Sequence, residues 1–267
     1  MGEVKMVDII VCAKYAWDVA EIKIDPSGKP VLEGVPRRIS DIDKNAMEAA
    51  VNLKEKHGGT IKALCFGPAS AKDGLKELLA MGADEAYVVE DPSGGMLDTA
   101  ATVEALAAAI QKMGSFDLIL CGEATTDGYT GQVGPRLAGK LGIPQVTYAR
   151  SLSLEDGSVV AERDLEDAYI TVKVSMPALV SVTREINVPR IPSLMAILKA
   201  SKKPMTTWKL EDLGLSKEKL EEVSTLKTVK LEGFAVERKR LIIKEKPVEE
   251  AVQELVSNLL KEKVLGV

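Results

Sequence analysis

Apolar residues fall in two rhythms along the first half of the chain. Val7-Asp8-Ile9-Ile10-Val11-Cys12-Ala13 is a near-continuous apolar run, the pattern of a strand covered on both faces. Ile61 to Phe66, Ala86 to Val89 and Leu118 to Cys121 repeat it. Between them lie stretches with helical spacing. One is capped by Ser40 or Asp41 and runs to about Lys56, with Ile42, Ala46, Ala49, Ala50 and Leu53 roughly on one face. Ala69 to Met81 is the next, stopped by Gly82. Asp98 caps an alanine-rich third that ends near Gly114, and Gly131 to Leu141 is the fourth. "EIKIDPSGKPVLEG" alternates around Asp25-Pro26-Ser27-Gly28 and predicts a hairpin excursion. This βαβα order with short connections predicts an α/β fold: an open, doubly wound, mostly parallel sheet with helices on both faces.

After Gly142 the rhythm changes. Val146 to Leu154, Ser158 to Arg163, Ala168 to Val174 and Ala178 to Val182 read as short strands, which either extend the sheet or form a lid on it. Glu185 to Pro204 is rich in Pro, Arg and Lys, and charged loops follow. A last helix, from about Val248 to Lys263, carries Ala251, Leu255, Leu259 and Leu260 on one face.

Composition then narrows the chemistry. The 267 residues fit one large domain, or one domain with an appendage. A net charge of -5 argues against a nucleic-acid partner. No apolar run is long enough to span a bilayer, and Asp8 interrupts the N-terminus before any leader-like stretch, so a cytoplasmic protein is expected. Cys12, Cys65 and Cys121 lack metal-ligand spacing, and the single histidine, His57, stands at a predicted helix end where it caps carbonyls. Zinc chemistry and a Ser-His-Asp triad are therefore not expected.

The three cysteines do mark a place, since each lies at or near the C-terminal end of a predicted parallel strand. Ligands of open α/β sheets bind beyond those ends. The loop after Cys121 is the best candidate. Gly128, Gly131 and Gly134 allow close backbone approach, and the helix start beyond them favours an anion. Thr125, Thr126, Thr130 and Gln132 offer donors, Arg136 a charge, and Asp127 an acceptor for a ribose hydroxyl or a cap. The spacing matches neither a Walker A nor a G-x-G-x-x-G motif, so residues alone leave two readings: a nucleotide cradle, or a tight connection needing glycine for its geometry.

The loop resembles the nucleotide loop of the electron transfer flavoprotein β-subunit family, roughly Gly-x-x-(Ala/Thr)-x-Asp-(Gly/Asp)-x-x-x-Gln-(Val/Thr)-Gly followed by Leu-Gly-x-Pro-Gln. Gly122, Asp127, Gly128, Gln132, Val133, Gly134 and then Leu141 to Gln145 match in register. "VCAKYAWD", with Lys14 and Asp18, resembles the family's first-strand motif, and "GPASAKDGLKELLAMGADEA" its Gly-Pro and Met-Gly-Ala-Asp stretch. "AERDLEDAYITVKVSMPALVSV" is similar to the family signature around Arg163 and Pro177, departing at Ala168 and Ile170. The likeness spans nearly the whole chain.

That resemblance implies an adenine-nucleotide-binding, Rossmann-like domain over residues 1–230, with a recognition loop at 184–204, and a C-terminal helical arm, 231–267, packing on an α subunit. The arm's helix either embraces that subunit or packs on its own domain. The resemblance also implies a nucleotide held by Cys12, Ala13, Lys14, Asp18, Ser40, Asp41, Phe66, Gly67, Asp98, Thr99, Gly122, Glu123, Thr126, Asp127, Gly128, Thr130, Gly131, Gln132, Val133 and Gly134. "DGYTGQVGP" and "GGMLDTAAT" resemble the electron-bifurcating branch, in which that nucleotide is FAD and NADH the electron donor. Electrons there divide between ferredoxin and a quinone-reductase or acyl-CoA dehydrogenase type partner, which could bring the complex to a membrane. Two departures stand against that branch: Ser40-Asp41-Ile42-Asp43 replaces the usual Asn-Pro-aromatic-Asp, and Tyr129 stands where an acid is common. The alternatives are a simple carrier with AMP in this subunit, and a nucleotide-sensing module. Leu194 matches the anchor of the family's recognition loop, with Lys199, Lys202 and Lys203 beside it.

Overall fold

The computed structural model describes residues 6–93, 97–233 and 239–265. Two compact units emerge, one of residues 1–23 and 31–231, the other of 24–30 and 232–267.

The chain begins with β1 (Ile9–Cys12) and a short pair, β2 (Tyr15–Trp17) with β5 (Arg37–Ile39), around the two-residue strands β3 (Lys23–Ile24) and β4 (Pro30–Val31). It continues with α1 (Asp41–His57), β6 (Ile61–Gly67), α2 (Ala71–Met81), β7 (Glu85–Glu90), α3 (Thr99–Met113), β8 (Leu118–Gly122) and α4 (Val133–Leu141). The second half holds β9 (Gln145–Glu155), β10 (Ser158–Asp164), β11 (Tyr169–Ser175), β12 (Ala178–Val182), α5 (Leu194–Ala200), β13 (Met205–Trp208), α6 (Lys217–Val223) and α7 (Val248–Lys261).

One nine-stranded sheet has the order β11-β10-β9-β12-β8-β1-β6-β7-β13. From β9 to β13 every pairing is parallel; only β10 and β11 are antiparallel. The strands after Gly142 therefore extend the sheet. Alternation along each central strand splits the core. Ile9, Val11, Leu118 and Leu120 face one side and pack with α1 and α2 residues such as Met47, Leu75 and Leu78. Ile10, Cys12, Ile119 and Cys121 face the other, with Leu106 and Ile110 of α3 and Leu137 of α4. Each fully buried Leu or Ile contributes roughly 1.5–3 kcal/mol, so both faces are firmly fixed.

After β1 the chain winds outward through β6 and β7, then returns to place β8 on the other side of β1. That reversal opens a crevice beyond Cys12 and Gly122, the place where such sheets hold ligands.

The second unit is small. Asp25 Oδ1 accepts from Ser27 N, Ser27 Oγ and Lys29 N, which fixes the hairpin turn, and Gly233 N–H donates to Gly28 O at 2.7 Å. Its α7 is amphipathic with no buried residue. Residues 234–238, 266 and 267 of the expected arm lie outside the described residues. No helix among the described residues is long and apolar enough to cross a membrane.

Candidate functional site

Two strand ends and two helix starts meet at the crevice. Asp43, in the first turn of α1, ties them together. Its Oδ2 accepts Lys14 N–H at 2.9 Å, from the chain just past β1. Its Oδ1 accepts Gly122 N–H at 2.9 Å, at the end of β8. Gly122 is required here, because a Cβ would lie 2.8 Å from Asp43 Oδ1 and 3.0 Å from Ile42 Cβ. Burial pushes the Asp43 carboxyl up to about 7, against the two backbone hydrogen bonds that pull it down.

The loop beyond Gly122 folds back on Lys14. Lys14 Nζ reaches Asp127 Oδ1 at 2.9 Å; Thr125 Oγ1 donates to the same oxygen, and Trp17 N–H to Oδ2. Burial alone would raise the Asp127 carboxyl, but the Lys14 charge and these hydrogen bonds outweigh it and hold it below the usual range. Arg37 adds a second cation, its guanidinium 3.8 Å from the Trp17 ring centroid and electrostatically coupled to Asp127. The Ser40 hydroxyl accepts Thr126 N–H at 3.3 Å. Tyr129 N–H closes the turn onto Thr125 O, with Tyr129 at φ 46° and Gly131 at φ 63°. For tyrosine that is an uncommon conformation.

The loop ends at α4. Gly134 brings this helix onto the sheet, since a Cβ there would stand 3.1 Å from Cys121 Sγ. No side chain caps the start of α4 or of α1, whereas Asp98 caps α3. The first N–H groups of α4 thus carry their partial positive charge into the crevice without a capping side chain, while at α1 the first-turn Asp41 and Asp43 offset part of that charge. Thr99 bridges the α3 and α4 starts: its hydroxyl donates to Gln132 Oε1 and accepts from Arg136 Nη1, both at 3.2 Å. Helix N–H groups, threonine hydroxyls and the Lys14, Arg37 and Arg136 cations make a donor set suited to a phosphate or diphosphate ester. Asp127 and Glu123 supply acceptors at its edge.

Residues 31–213 match the electron transfer flavoprotein domain family. The sequence is 41% identical over 255 residues, 94% of this chain and 97% of the relative, to a protein named electron transfer flavoprotein subunit beta from Thermoanaerobacterium thermosaccharolyticum. The chain belongs to the electron transfer flavoprotein β-subunit family. It is also 43% identical over 212 residues, 79% of this chain and 81% of the relative, to a protein of Acetobacterium woodii named caffeyl-CoA reductase-Etf complex subunit CarD. To the electron transfer flavoprotein subunit beta of Bacillus subtilis it is 37% identical over 257 residues, 96% of this chain and 98% of that one. Its role is that of the family, an electron-transfer subunit.

Within this family member the anticipated residues spread over a wider area than one pocket. Lys14, Ser40, Gly122, Thr126, Asp127 and Gly128 share hydrogen bonds or lie against one another, and Thr99 and Gln132 meet at the α4 start. Thr130 Oγ1 accepts Gln132 N–H. Ala13 N–H is taken up by Leu64 O, and Cys12 sits opposite Cys121 across β1 and β8. Burial pushes the thiols of Cys12, Cys65 and Cys121 up, Cys65 to about 12, so they pack rather than react. Phe66 and Gly67 end β6, one strand over. Asp18 and Asp41 both pair with Arg38 at the rim. Asp98 Oδ1 caps α3, and its Oδ2 receives Thr225 and Leu226 N–H groups. Gly94, Gly95 and Met96 of "GGMLDTAAT" lie outside the described residues. Glu123 N–H bonds Val182 O, while desolvation and the nearby Glu185 raise its carboxyl.

Asp43, Arg37 and Trp17 were not singled out from the sequence. Asp43 did leave a signal, an acid beside Ile42 at the start of an otherwise small, apolar helix face. Arg37 and Trp17 left none.

The segment 184–204 starts near Glu123, on which Arg184 and Glu185 act, and runs along α1 from Asn45 to Glu55. Leu194 is 72% and Ile191 94% exposed, and Met195, Ile197 and Leu198 are exposed beside them. Lys199 and Lys202 are exposed too. Lys203 is engaged within the chain, its Nζ donating to Leu79 O and Ala83 O at the end of α2.

Proposed function

We propose that this chain holds FAD in the crevice between β1 and β8 and, paired with an α subunit, takes electrons from NADH. The observation that carries the reading is the loop Gly122–Gly134, set on the sheet's reversal point between two uncapped helix starts. It accompanies the bifurcating-type sequence "DGYTGQVGP". The 43% identity to a subunit of a caffeyl-CoA reductase-Etf complex supports the same branch.

In this reading the α4 and α1 N-termini, Arg136 and Lys14 bind the diphosphate, and Asp127 keeps Lys14 in place. Thr99 and Gln132 orient the ester, and Asp127 accepts from a ribose hydroxyl. When bound, FAD supplies hydride uptake from NADH and release of the two electrons singly, one to ferredoxin, the other through the α-subunit flavin to a quinone-reductase or acyl-CoA dehydrogenase type partner. No side chain of this chain moves a proton in that scheme; the protein positions, charges and shields. The segment 184–204 docks the acyl-CoA dehydrogenase type partner, with Leu194 as anchor and Lys199 and Lys202 as its basic rim. Residues 231–267, with the exposed apolar face of α7, are the arm that packs on the α subunit.

Anaerobic titration of the heterodimer with NADH tests the proposal. It expects a loss of flavin absorbance equal to two flavins per heterodimer. If NADH bleaches none, the crevice holds no NADH-reducible flavin and the AMP-bearing carrier takes its place.

A further inference from the structure

The stretch from Val188 to Leu198 has almost no buried side chain to hold it. Its ends are nevertheless fastened hard. At the first end Arg190 lies on α1. Its Nε and Nη2 donate to Glu48 Oε2 and Oε1 at 2.8 and 3.0 Å, a bidentate fork, and its own N–H donates to the same Oε2 at 3.1 Å. Nη1 reaches Glu55 Oε1 at 2.7 Å. The Glu48 side chain is only 8% exposed, so this pair is worth more than a surface salt bridge and is costly to break on one side. One turn earlier Asn45 and Asn187 exchange bonds, Nδ2 to main-chain oxygen in both directions, at 2.8 and 3.0 Å.

Asn45, Glu48, Asn52 and Glu55 recur at i, i+3, i+7 and i+10, a polar seam along one helix face. Arg190 touches three of the four. At the other end Lys203 Nζ bonds the Leu79 and Ala83 carbonyls, the first of which belongs to the last turn of α2. Ala200, the only buried residue of α5, is held there as well. A lysine that sequence reasoning offered to a partner is thus spent inside the chain.

We propose that Arg190 and Lys203 are positioning residues that pin the two ends of the docking segment, so that Ile191 to Leu198 meets an acyl-CoA dehydrogenase type partner as a preset surface. The inference rests on the docking role assigned above to Leu194. A segment already ordered loses less conformational freedom on binding, so the gain appears in the affinity for the partner and not in the electron-transfer step.

The test uses the complete heterodimer, with a purified short-chain acyl-CoA dehydrogenase as the probe, its acyl-CoA as electron donor and a dye as terminal acceptor, so that electrons cross the same contact in reverse. Turnover is measured against dehydrogenase concentration for Arg190→Met, Arg190→Lys, Lys203→Met and Leu194→Ala. Arg190→Met and Lys203→Met are expected to raise KM for the dehydrogenase on the order of tenfold with kcat within about twofold. Arg190→Lys, which keeps the charge and loses the fork, falls between. Hydrogen exchange should quicken across 188–200 and stay unchanged in β1 and β8. Mere loss of folded protein would lower kcat and leave KM alone, so the split is diagnostic. A raised KM for Leu194→Ala, with wild-type KM for both Arg190→Met and Lys203→Met, overturns the positioning role. An unchanged KM for Leu194→Ala overturns the docking role itself.

Discussion

The crevice at the sheet's reversal point and the segment 184–204 both lean on α1, the first at Asp43 and the second at Asn45, Glu48 and Glu55, and they are built on opposite rules. At the crevice apolar groups are hidden while polar ones converge: helix N–H groups without caps, threonine hydroxyls, and cations set against Asp127. In the segment 184–204 Asn187, Arg190 and Lys203 are consumed internally, by Asn45, Glu48, Glu55 and two α2-end carbonyls, and the apolar side chains point outward. Each region leaves unsatisfied what its ligand must supply. On the function proposed, a charged ester would satisfy the first and an apolar surface the second. Because the crevice is knitted into the core and the segment rests on it, damage should read out differently in the two places.

The largest effect is expected from Gly122→Val. Its Cβ has no room between Asp43 and Ile42, so β8 must shift. A loss of about 2–3 kcal/mol in a denaturant melt is expected, together with loss of bound nucleotide. A wild-type melt would dissolve the distinction between the two regions.

Asp43 comes next. Its folded carboxyl stands at about 7 against an ordinary 3.8. The folded state therefore binds the proton more tightly than the unfolded state does. The stability this contributes is complete below the ordinary value and is lost as pH rises through about 7. Wild type should accordingly lose roughly 3 kcal/mol between about pH 4 and pH 7 from this group, and Asp43→Asn should flatten that part of the melt-versus-pH curve. An identical slope in the variant refutes the assignment.

Lys14→Met leaves Asp127 without its cation. Nucleotide retention through gel filtration should fall on the order of tenfold, with a stability loss of about 1 kcal/mol. Smallest is Leu194→Ala, an exposed truncation expected to change stability by no more than about 0.5 kcal/mol. If it costs as much as Gly122→Val, the segment belongs to the core and the contrast fails.

Much of the fold was legible in the sequence because the signals are local. The alternation of apolar runs with helical spacing gave β1, β6, β7, β8 and the helices α1 to α4 within a few residues, though not the β2–β5 pair, and Asp98 is the α3 cap its position announced. The insertion of β12 between β8 and β9 and the strand β13 were not legible. They depend on pairings between distant segments, and Met205–Trp208 looked like charged loop. The crevice was legible as a place, from strand ends and glycines. Its keystone was not, because Asp43 acts on Gly122, 79 positions away. The same limit explains Lys203 and Arg190. A basic residue beside an exposed leucine looks like a docking charge until its carbonyl or carboxylate partners, more than 100 positions distant, come into view.

The central claim is that the crevice of this subunit holds FAD. The most direct test is to purify the chain with its α subunit, denature the complex and quantify released nucleotides by chromatography. Two FAD per heterodimer and no AMP is the predicted result. One FAD with one AMP would contradict it and leave a single-flavin carrier.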